Sequence, residues 1–147
     1  MAEYGAFSKN QIYTVNQARE VVRYAKVRGI RVIPELDTPG HAASWGKAPA
    51  NKGLACTLSE YTFIGPLDVT LEKTYQLVKE VFEEILDIFP DPYVHLGGDE
   101  VQLSCLSNLT MILKANNITV SDLPFYYRQR QKDIISNISP TRQRIYW

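Results

Sequence analysis

The stretch "VHLGGDEV", residues 94–101, ends an apolar run with two glycines and two adjacent acids. Neighbouring side chains in a regular strand point to opposite faces of a sheet. Gly97 and Gly98 allow backbone conformations that other residues resist, so they can turn Asp99 and Glu100 toward one cavity. Repulsion between close carboxylates favours keeping one protonated, and a protonated carboxyl group can serve as a general acid. The stretch therefore predicts a strand that ends in an acid–base site.

The same two acids also fit a purely structural role. Asp99 suits the N-cap of a helix, and Glu100 suits its first turn, where the helix dipole favours negative charge. The tetrapeptide "GGDE" is a weak signal by itself. Spacing alone therefore leaves both interpretations open.

Helices and strands alternate along the chain on both sides of this stretch. Apolar residues at steps of three and four predict a helix over residues 69–89, and a Thr14–Gln17 capping box begins a helix over 14–28. The other predicted elements are strands at 30–37, 93–96 and 144–147, a long loop at 38–68, a broken helix at 101–115 and a helix at 122–137. Such alternation is typical of βαβ units, so the predicted fold class is α/β with a parallel sheet.

Composition excludes several classes of partner. The 147 residues suggest one domain or part of one, and 16 basic residues balance 16 acidic ones. Without a basic tract, nucleic acid and anionic membranes are poor candidates. No apolar run approaches the roughly 20 residues that span a bilayer. The first residues show no basic segment followed by an apolar one, so no signal peptide is visible in this sequence.

Polar side chains follow each predicted strand, where βα folds collect catalytic groups. The end of the first strand carries Glu35 and Asp37, with His41 after the turn, the end of the second carries the acid pair, and the end of the third carries Trp147. Polar groups beside an aromatic wall predict a small-molecule site. The two histidines lie on different elements without an HxH or HExxH pattern, so a metal site is not predicted.

Two cysteines and three glycosylation triplets bear on the compartment. Cys56 and Cys105 are too few for the usual structural zinc sites and are either unrelated buried thiols or a pair. Asn-x-Ser/Thr triplets begin at Asn108, Asn117 and Asn137, the last made a poor acceptor by the proline that follows it. Together the triplets favour the secretory pathway, where a disulfide would persist.

Two longer motifs carry a family resemblance. "GIRVIPELDTPGHAASWGK", residues 29–47, followed by "FPDPYVHLGGDEV", residues 89–101, closely resembles the β-N-acetylhexosaminidases of glycoside hydrolase family 20, of the eukaryotic lysosomal type. The resemblance covers essentially the whole chain. It implies a TIM barrel, of which residues 1–147 are part of the catalytic domain. "RVIPELD", "YVHLGGDE" and "RIYW" then correspond to strands three, four and five.

The resemblance also implies a reaction. Family members release terminal, non-reducing β-linked N-acetylglucosamine or N-acetylgalactosamine from glycans with retention of configuration. The substrate's own 2-acetamido group is the nucleophile and forms an oxazolinium intermediate, an exception to the usual pair of enzyme carboxylates. Glu100 matches the general acid and base, and Asp99 matches the residue that orients the acetamide. Two acids that are adjacent in the chain can then fill both roles, since Glu100 protonates the leaving group and Asp99 contacts the neighbouring acetamide.

Further implications concern the surroundings of this pair. His41 matches an active-site histidine, Asp37 a supporting acid, and Trp147 a tryptophan that walls the sugar. Cys56 and Cys105 match a family disulfide. No metal or organic cofactor is implied, and neither is a nucleic acid partner or a membrane span. The resemblance implies lysosomal or secreted proteins that form homo- or heterodimers.

The chain departs from the family in extent. A complete barrel takes about 250 residues, and strands one, two and six to eight have no counterpart here. Leu106 stands where lysosomal members have tryptophan. We therefore expect that the isolated 147 residues neither fold stably nor turn over substrate. The alternatives are an inactive fragment that at most binds carbohydrate, and an unrelated metal-dependent barrel hydrolase.

Overall fold

The computed structural model describes residues 2–57, 64–102, 106 and 108–147. Its α-helices are α1 (Ala2–Gly5), α2 (Val15–Lys26), α3 (Glu72–Ile88), α4 (Leu109–Asn116) and α5 (Leu123–Ile138). Its strands are β1 (Ala55–Thr57), β2 (Ile64–Leu67), β3 (Tyr93–His95) and β4 (Gln143–Ile145). Short 3₁₀ helices cover Ala43–Lys47, Pro49–Asn51 and Val120–Asp122.

A parallel arrangement of chain segments forms the centre of the fold. β3 and β4 pair in parallel, with Tyr93 opposite Gln143. On the other side of β3, Glu35 forms a parallel bridge with His95. The spatial order is therefore residue 35, β3, β4, which follows the chain order. This arrangement agrees with the α/β class and its parallel pairing.

The strand predicted over residues 30–37 is reduced to this single bridge. The Leu36 N–H donates to the His95 carbonyl at 3.0 Å, and the His95 N–H donates to the Pro34 carbonyl at 2.9 Å. A strand needs hydrogen-bonding neighbours, and Pro34 itself has no N–H to donate. Residues 30–34 pair with no strand of the described residues, so they do not form a regular strand themselves.

Helix α2 begins and ends as its sequence predicts. The Thr14 hydroxyl accepts from the Gln17 N–H at 3.2 Å, and the Gln17 side chain accepts from the Thr14 N–H at 2.8 Å. At the other end Gly29 has a φ of +70°, and the Ile30 N–H donates to the Ala25 carbonyl at 3.0 Å. This is the closure of a Schellman motif, which favours glycine at the left-handed position.

The core lies between α3, α5 and the parallel strands. Its buried residues on these elements include Val78, Phe82, Leu86, Val94, Leu123, Tyr127 and Ile135. Burying each large apolar side chain contributes about 1.5–3 kcal/mol relative to exposure. The buried face of α5 repeats at steps of four and includes the polar Gln131. Phe125 lies off this face and is 68% exposed.

Two arginines fix the connection between α3 and β3. Arg31 donates to both carboxylate oxygens of Asp91 at 2.8 and 2.7 Å, and these bonds hold the pKa of that carboxyl group below its usual range. Arg142 donates to the carbonyls of Leu86 at 3.1 Å and Phe89 at 2.8 Å, which are acceptors at the C-terminal end of α3.

The segment predicted as a loop, residues 38–68, contains more structure than expected. Two of the 3₁₀ helices lie in it, and β1 pairs antiparallel with β2. Its Gly46 packs closely on Ala55, because an added Cβ would lie 2.7 Å from the Ala55 Cβ. Of the broken helix predicted over 101–115, the structure describes α4, which begins at Leu109, whereas residues 103–105 and 107 lie outside the described residues. Within the described ranges no helix is long and apolar enough to cross a membrane.

Candidate functional site

The corner after β3 is built around Gly97. This residue has a φ of +59°, and an added Cβ would lie 2.0 Å from the Asp37 Oδ1. Gly98 follows with a φ of +107°, and its N–H donates to the same Oδ1 at 2.9 Å. The position therefore requires glycine for two reasons, the left-handed backbone and the contact with the Asp37 carboxylate.

The corner brings the acid pair to one histidine. The His41 Nε2 lies 3.7 Å from the Asp99 Oδ1, 3.5 Å from the Glu100 Oε2 and 3.9 Å from the Asp37 Oδ2. These separations are at ion-pair range and at or beyond the usual limit of a hydrogen bond. The structure therefore brings both acid side chains to the same histidine, and the sequence interpretation of a shared cavity stays a prediction.

The helix N-cap hypothesis for the acid pair was wrong. Asp99 and Glu100 lie outside any helix, and Glu100 has a φ of +49°, which is left-handed backbone. The described helix that follows is α4, and its N-cap is Asn108. The side chains of Asp99 and Glu100 are 47% and 77% exposed, so both are accessible to a ligand.

A second group lies on the other side of the corner. The Trp147 Nε1 donates to the Glu35 Oε1 at 3.2 Å, and its ring meets the His95 ring edge-on at 4.7 Å between centroids. The His95 Nδ1 accepts from the Gly97 N–H at 3.2 Å and lies 3.5 Å from the Glu35 Oε1. The exposed indole of Trp147 thus stands over the end of β3.

A buried polar cluster lies beneath the Asp37–His41 loop. The Thr38 hydroxyl accepts from the Tyr127 hydroxyl at 2.8 Å and from the Gln131 Nε2 at 3.0 Å. Burial raises the pKa of Tyr127, although its bond to Thr38 acts in the opposite direction. The sequence analysis missed all three residues. The one available signal was the position of Gln131, a polar residue that lies four positions after Tyr127 and four positions before Ile135 on the apolar face of α5.

Three side chains of the site could together ligate a cation. One ligand atom each from Asp37, His41 and Asp99 lies within 4.8 Å of the others. Carboxylate and imidazole ligands suit several divalent metals. All three side chains are at least partly exposed, and such acidic clusters are common without an ion.

An apolar cavity of about 580 Å³ lies elsewhere, between α2 and α3. Its lining includes Val15, Val21, Leu36, Ile85 and Phe89 and none of the four residues that converge at the corner. We place the functional site at the corner, because convergent titratable groups carry chemistry and an apolar cleft alone does not.

The remaining predicted site residues are scattered. Cys56 is buried on β1, and Cys105 lies outside the described residues, so their pairing stays a prediction. Asn117 is exposed at the left-handed end of α4, whereas Asn137 is exposed within α5. Asn108 is the half-buried N-cap of α4.

Known proteins resemble this chain in sequence. It is 38% identical to human β-hexosaminidase subunit β over 146 residues, which is 95% of this chain and 26% of that protein. It is 39% identical to β-hexosaminidase 1 of Arabidopsis thaliana over 141 residues, 92% of this chain and 25% of the relative. The chain thus spans about a quarter of the length of these curated relatives.

Solved structures agree with the sequence relatives. A β-N-acetylhexosaminidase from Bacteroides fragilis superposes with a TM-score of 0.82 at 28% identity and covers 99% of this chain and 29% of its own. A family 20 exo-β-N-acetylglucosaminidase from Vibrio harveyi, solved with N-acetylglucosamine, has a TM-score of 0.75 at 26% identity over 92% of this chain and 22% of its own. The fold class, part of an α/β TIM barrel, is confirmed.

The family assignment rests on the full length of the chain. The sequence model described as "Glycosyl hydrolase family 20, catalytic domain" matches residues 1–147. The match includes both the corner at Gly97 and the loop that carries Asp37 and His41, which face each other in the structure. The chain therefore belongs to glycosyl hydrolase family 20 and represents a portion of its catalytic domain.

Proposed function

We propose that the protein hydrolyses terminal, non-reducing β-linked N-acetylhexosamine residues of glycoconjugates by a retaining, substrate-assisted mechanism. The observation that carries the proposal is the approach of the Asp99 and Glu100 carboxylates to the His41 Nε2, at 3.7 and 3.5 Å. The relatives named above are β-hexosaminidases, which supports the substrate class.

In the first step Glu100 is the general acid. The carbonyl oxygen of the substrate's 2-acetamido group attacks C1, the glycosidic C1–O bond breaks, and Glu100 gives its proton to the departing oxygen. Asp99 orients the acetamide and stabilises the positive charge of the oxazolinium ring. Water then attacks C1 as Glu100 takes up its proton, and the ring opens to the acetamide.

The neighbouring side chains have supporting roles in this proposal. His41 and Asp37 hold the acid pair in place through the ion-pair contacts and the Gly98 bond described above. Trp147 supplies an apolar face for the sugar ring, a use suited to a large exposed aromatic side chain. No cofactor has a step in this chemistry.

The test is the substitution Glu100→Gln, made in the complete natural polypeptide that contains these 147 residues. With 4-nitrophenyl N-acetyl-β-D-glucosaminide we expect kcat to fall about 100- to 10,000-fold, because the general acid is lost. Binding of N-acetylglucosamine should persist, because the amide keeps the shape of the side chain. Glu84→Gln, the same change at an exposed position of α3, is the matched control and should leave kcat unchanged.

The result would also separate the alternatives. An unchanged kcat in Glu100→Gln would refute the assignment of the general acid. A wild-type protein that binds N-acetylglucosamine without hydrolysing the chromogenic substrate would favour the alternative, an inactive carbohydrate-binding fragment.

A metal-dependent hydrolase is the second candidate, favoured by the spacing of Asp37, His41 and Asp99. In that mechanism a divalent ion held by these side chains activates water. A chelator added to the assay distinguishes the two. Full loss of activity that returns with added metal would support the metal mechanism, whereas our proposal expects no change.

The cellular setting follows from the same assignment. We propose a lysosomal or secreted glycoprotein with glycans at one or more of Asn108, Asn117 and Asn137, and with a Cys56–Cys105 disulfide. We further propose homo- or heterodimers and substrates that end in N-acetylglucosamine or N-acetylgalactosamine. Endoglycosidase shifts and non-reducing mass analysis of the secreted protein test the modifications.

A further inference from the structure

The hydroxyl of Thr38 is the meeting point of two chain segments that are far apart in sequence. Thr38 precedes Pro39 in the loop that carries Asp37 and His41, whereas its partners Tyr127 and Gln131 lie on α5. The three residues are 1%, 1% and 2% exposed. No solvent therefore competes for these hydrogen bonds.

The geometry of this cluster is restrictive. Tyr127 and Gln131 are four residues apart on one face of α5, so their side chains reach the same point. A threonine hydroxyl offers two acceptor lone pairs, and the phenol and the amide occupy both. A buried polar group that loses its partner costs about 1–3 kcal/mol. These bonds therefore fix where Thr38 lies relative to the helix.

The position of Thr38 determines the position of its neighbours in the site. The carboxylate of Asp37, one residue before it, accepts from the Gly98 N–H at 2.9 Å. One residue after it, the Pro39 carbonyl accepts from the Leu67 N–H at 2.8 Å. The Cβ of Gly40, if present, would lie 2.9 Å from the Asp99 carbonyl oxygen. The loop thus packs directly on the corner, without room to shift.

We propose that Thr38, Tyr127 and Gln131 are positioning residues, which hold the carboxylate of Asp37 and the imidazole of His41 against the Asp99–Glu100 corner. None of the three touches the reacting atoms. They act through the backbone of the loop, and helix α5 is the rigid element from which the loop is held. The catalytic consequence of this inference rests on the proposed hydrolysis, whereas its structural content does not.

The experiment compares Thr38→Val, Tyr127→Phe and Thr38→Ser, each made in the complete natural polypeptide that contains these 147 residues. The first readout is the amide proton shift of Gly98 in a sample labelled with ¹⁵N-glycine. We expect this signal to move to higher field in Thr38→Val and Tyr127→Phe, because the bond to Asp37 lengthens. Thr38→Ser keeps the hydroxyl and should retain the wild-type shift.

The second readout is turnover of the chromogenic glucosaminide. We expect kcat to fall about 10- to 100-fold in Thr38→Val and Tyr127→Phe, since small displacements of catalytic groups have effects of this size. KM should change less, and Thr38→Ser should restore kcat. If the wild-type protein proves inactive, the proposed hydrolysis fails but the Gly98 signal still decides the positioning role.

Tyr75→Phe is the matched control for general destabilisation. Its hydroxyl is also buried but donates to the Val69 carbonyl at 2.7 Å instead of to Thr38, and the change keeps the Tyr75 ring, which packs on the Tyr127 ring at 5.8 Å between centroids. This variant should lower the melting temperature and leave the Gly98 signal and kcat unchanged. The proposal is overturned if Tyr127→Phe and Thr38→Val leave the Gly98 signal in place, or if Tyr75→Phe moves it equally.

Discussion

Two separate constraints, one on the backbone and one on the space for a side chain, restrict the position of Gly97 to glycine. Its backbone is left-handed, and the space where a Cβ would sit is filled by the carboxylate of Asp37. Gly29 meets only the first constraint, because it has a φ of +70° and no atom within 4 Å of a built Cβ. The comparison of the two glycines therefore separates backbone strain from steric conflict.

Replacing each glycine with alanine should give different results. Gly29→Ala should lower the free energy of unfolding by about 1–2 kcal/mol, the cost of left-handed backbone for a residue with a side chain. Gly97→Ala should cost more and should also lower kcat, because the new methyl group displaces Asp37. Urea denaturation and the chromogenic assay, both carried out on the complete natural polypeptide that contains these 147 residues, measure the two effects. Equal destabilisation by the two substitutions would contradict the packing argument.

Single residues also show which parts of the site were open to prediction. Asp99 and Glu100 follow two glycines at a strand end, and this local signal marks them as candidates without deciding between a catalytic role and a helix N-cap. His41 was nominated through its place after a strand, and it does meet both acids at ion-pair range. Thr38, Tyr127 and Gln131 carry no such local signal, because their importance arises only when α5 packs under the loop.

Helices α3 and α5 are joined across their faces by Arg130. Its guanidinium donates to both carboxylate oxygens of Glu72 and lies 3.6 Å from the centre of the Tyr75 ring. The bonds to Arg130 hold the pKa of the Glu72 carboxyl below its usual range. A bidentate contact combined with ring stacking is specific to arginine, because lysine offers only a point charge.

Arg130→Lys should therefore weaken the packing of these helices even though the charge is kept. We expect a loss of about 1 kcal/mol in the free energy of unfolding, from the ring contact and the second hydrogen bond. Arg23→Lys, in an exposed pair with Glu20 on α2, is the control and should cost less than about 0.5 kcal/mol. Equal losses in chemical denaturation would show that the stacked arrangement contributes nothing.

The predicted helices came closer to the structure than the predicted strands. The apolar period of α3 and the capping box of α2 are properties of neighbouring residues, so they are visible in the sequence. Residues 30–37 have strand composition, but only Glu35 forms a bridge. A strand is defined by hydrogen bonds to other segments, and composition does not say where those segments lie.

The molecule exposes large apolar side chains on and after α2. Val15 and Val21 line the apolar cavity between α2 and α3 and are themselves exposed, and Ile30 and Ile33, which follow the helix in the chain, are exposed as well. Exposed apolar surface of this kind is a binding surface or an aggregation hazard. Within α2 itself, Ala25 is the only buried residue.

The isolated 147-residue chain should therefore self-associate and bind a hydrophobic dye such as ANS. Val15→Ser combined with Val21→Ser should reduce both effects, whereas Met111→Ser, at an exposed position on α4, should not. Light scattering after gel filtration and dye fluorescence measure the outcome. A monodisperse monomer that does not bind the dye would refute this expectation and the expected instability of the isolated chain.

The sequence by itself determined the alternation of elements, the family and the acid pair, because these depend on short periodic patterns and on motifs of adjacent residues. The tertiary structure alone decided that Asp99 and Glu100 do not cap a helix, that β3 lies between residue 35 and β4, and that α5 holds the loop from below. Each of these depends on contacts between residues that are distant in the chain. Such contacts are selected by the packing of the whole core, and no local pattern encodes them.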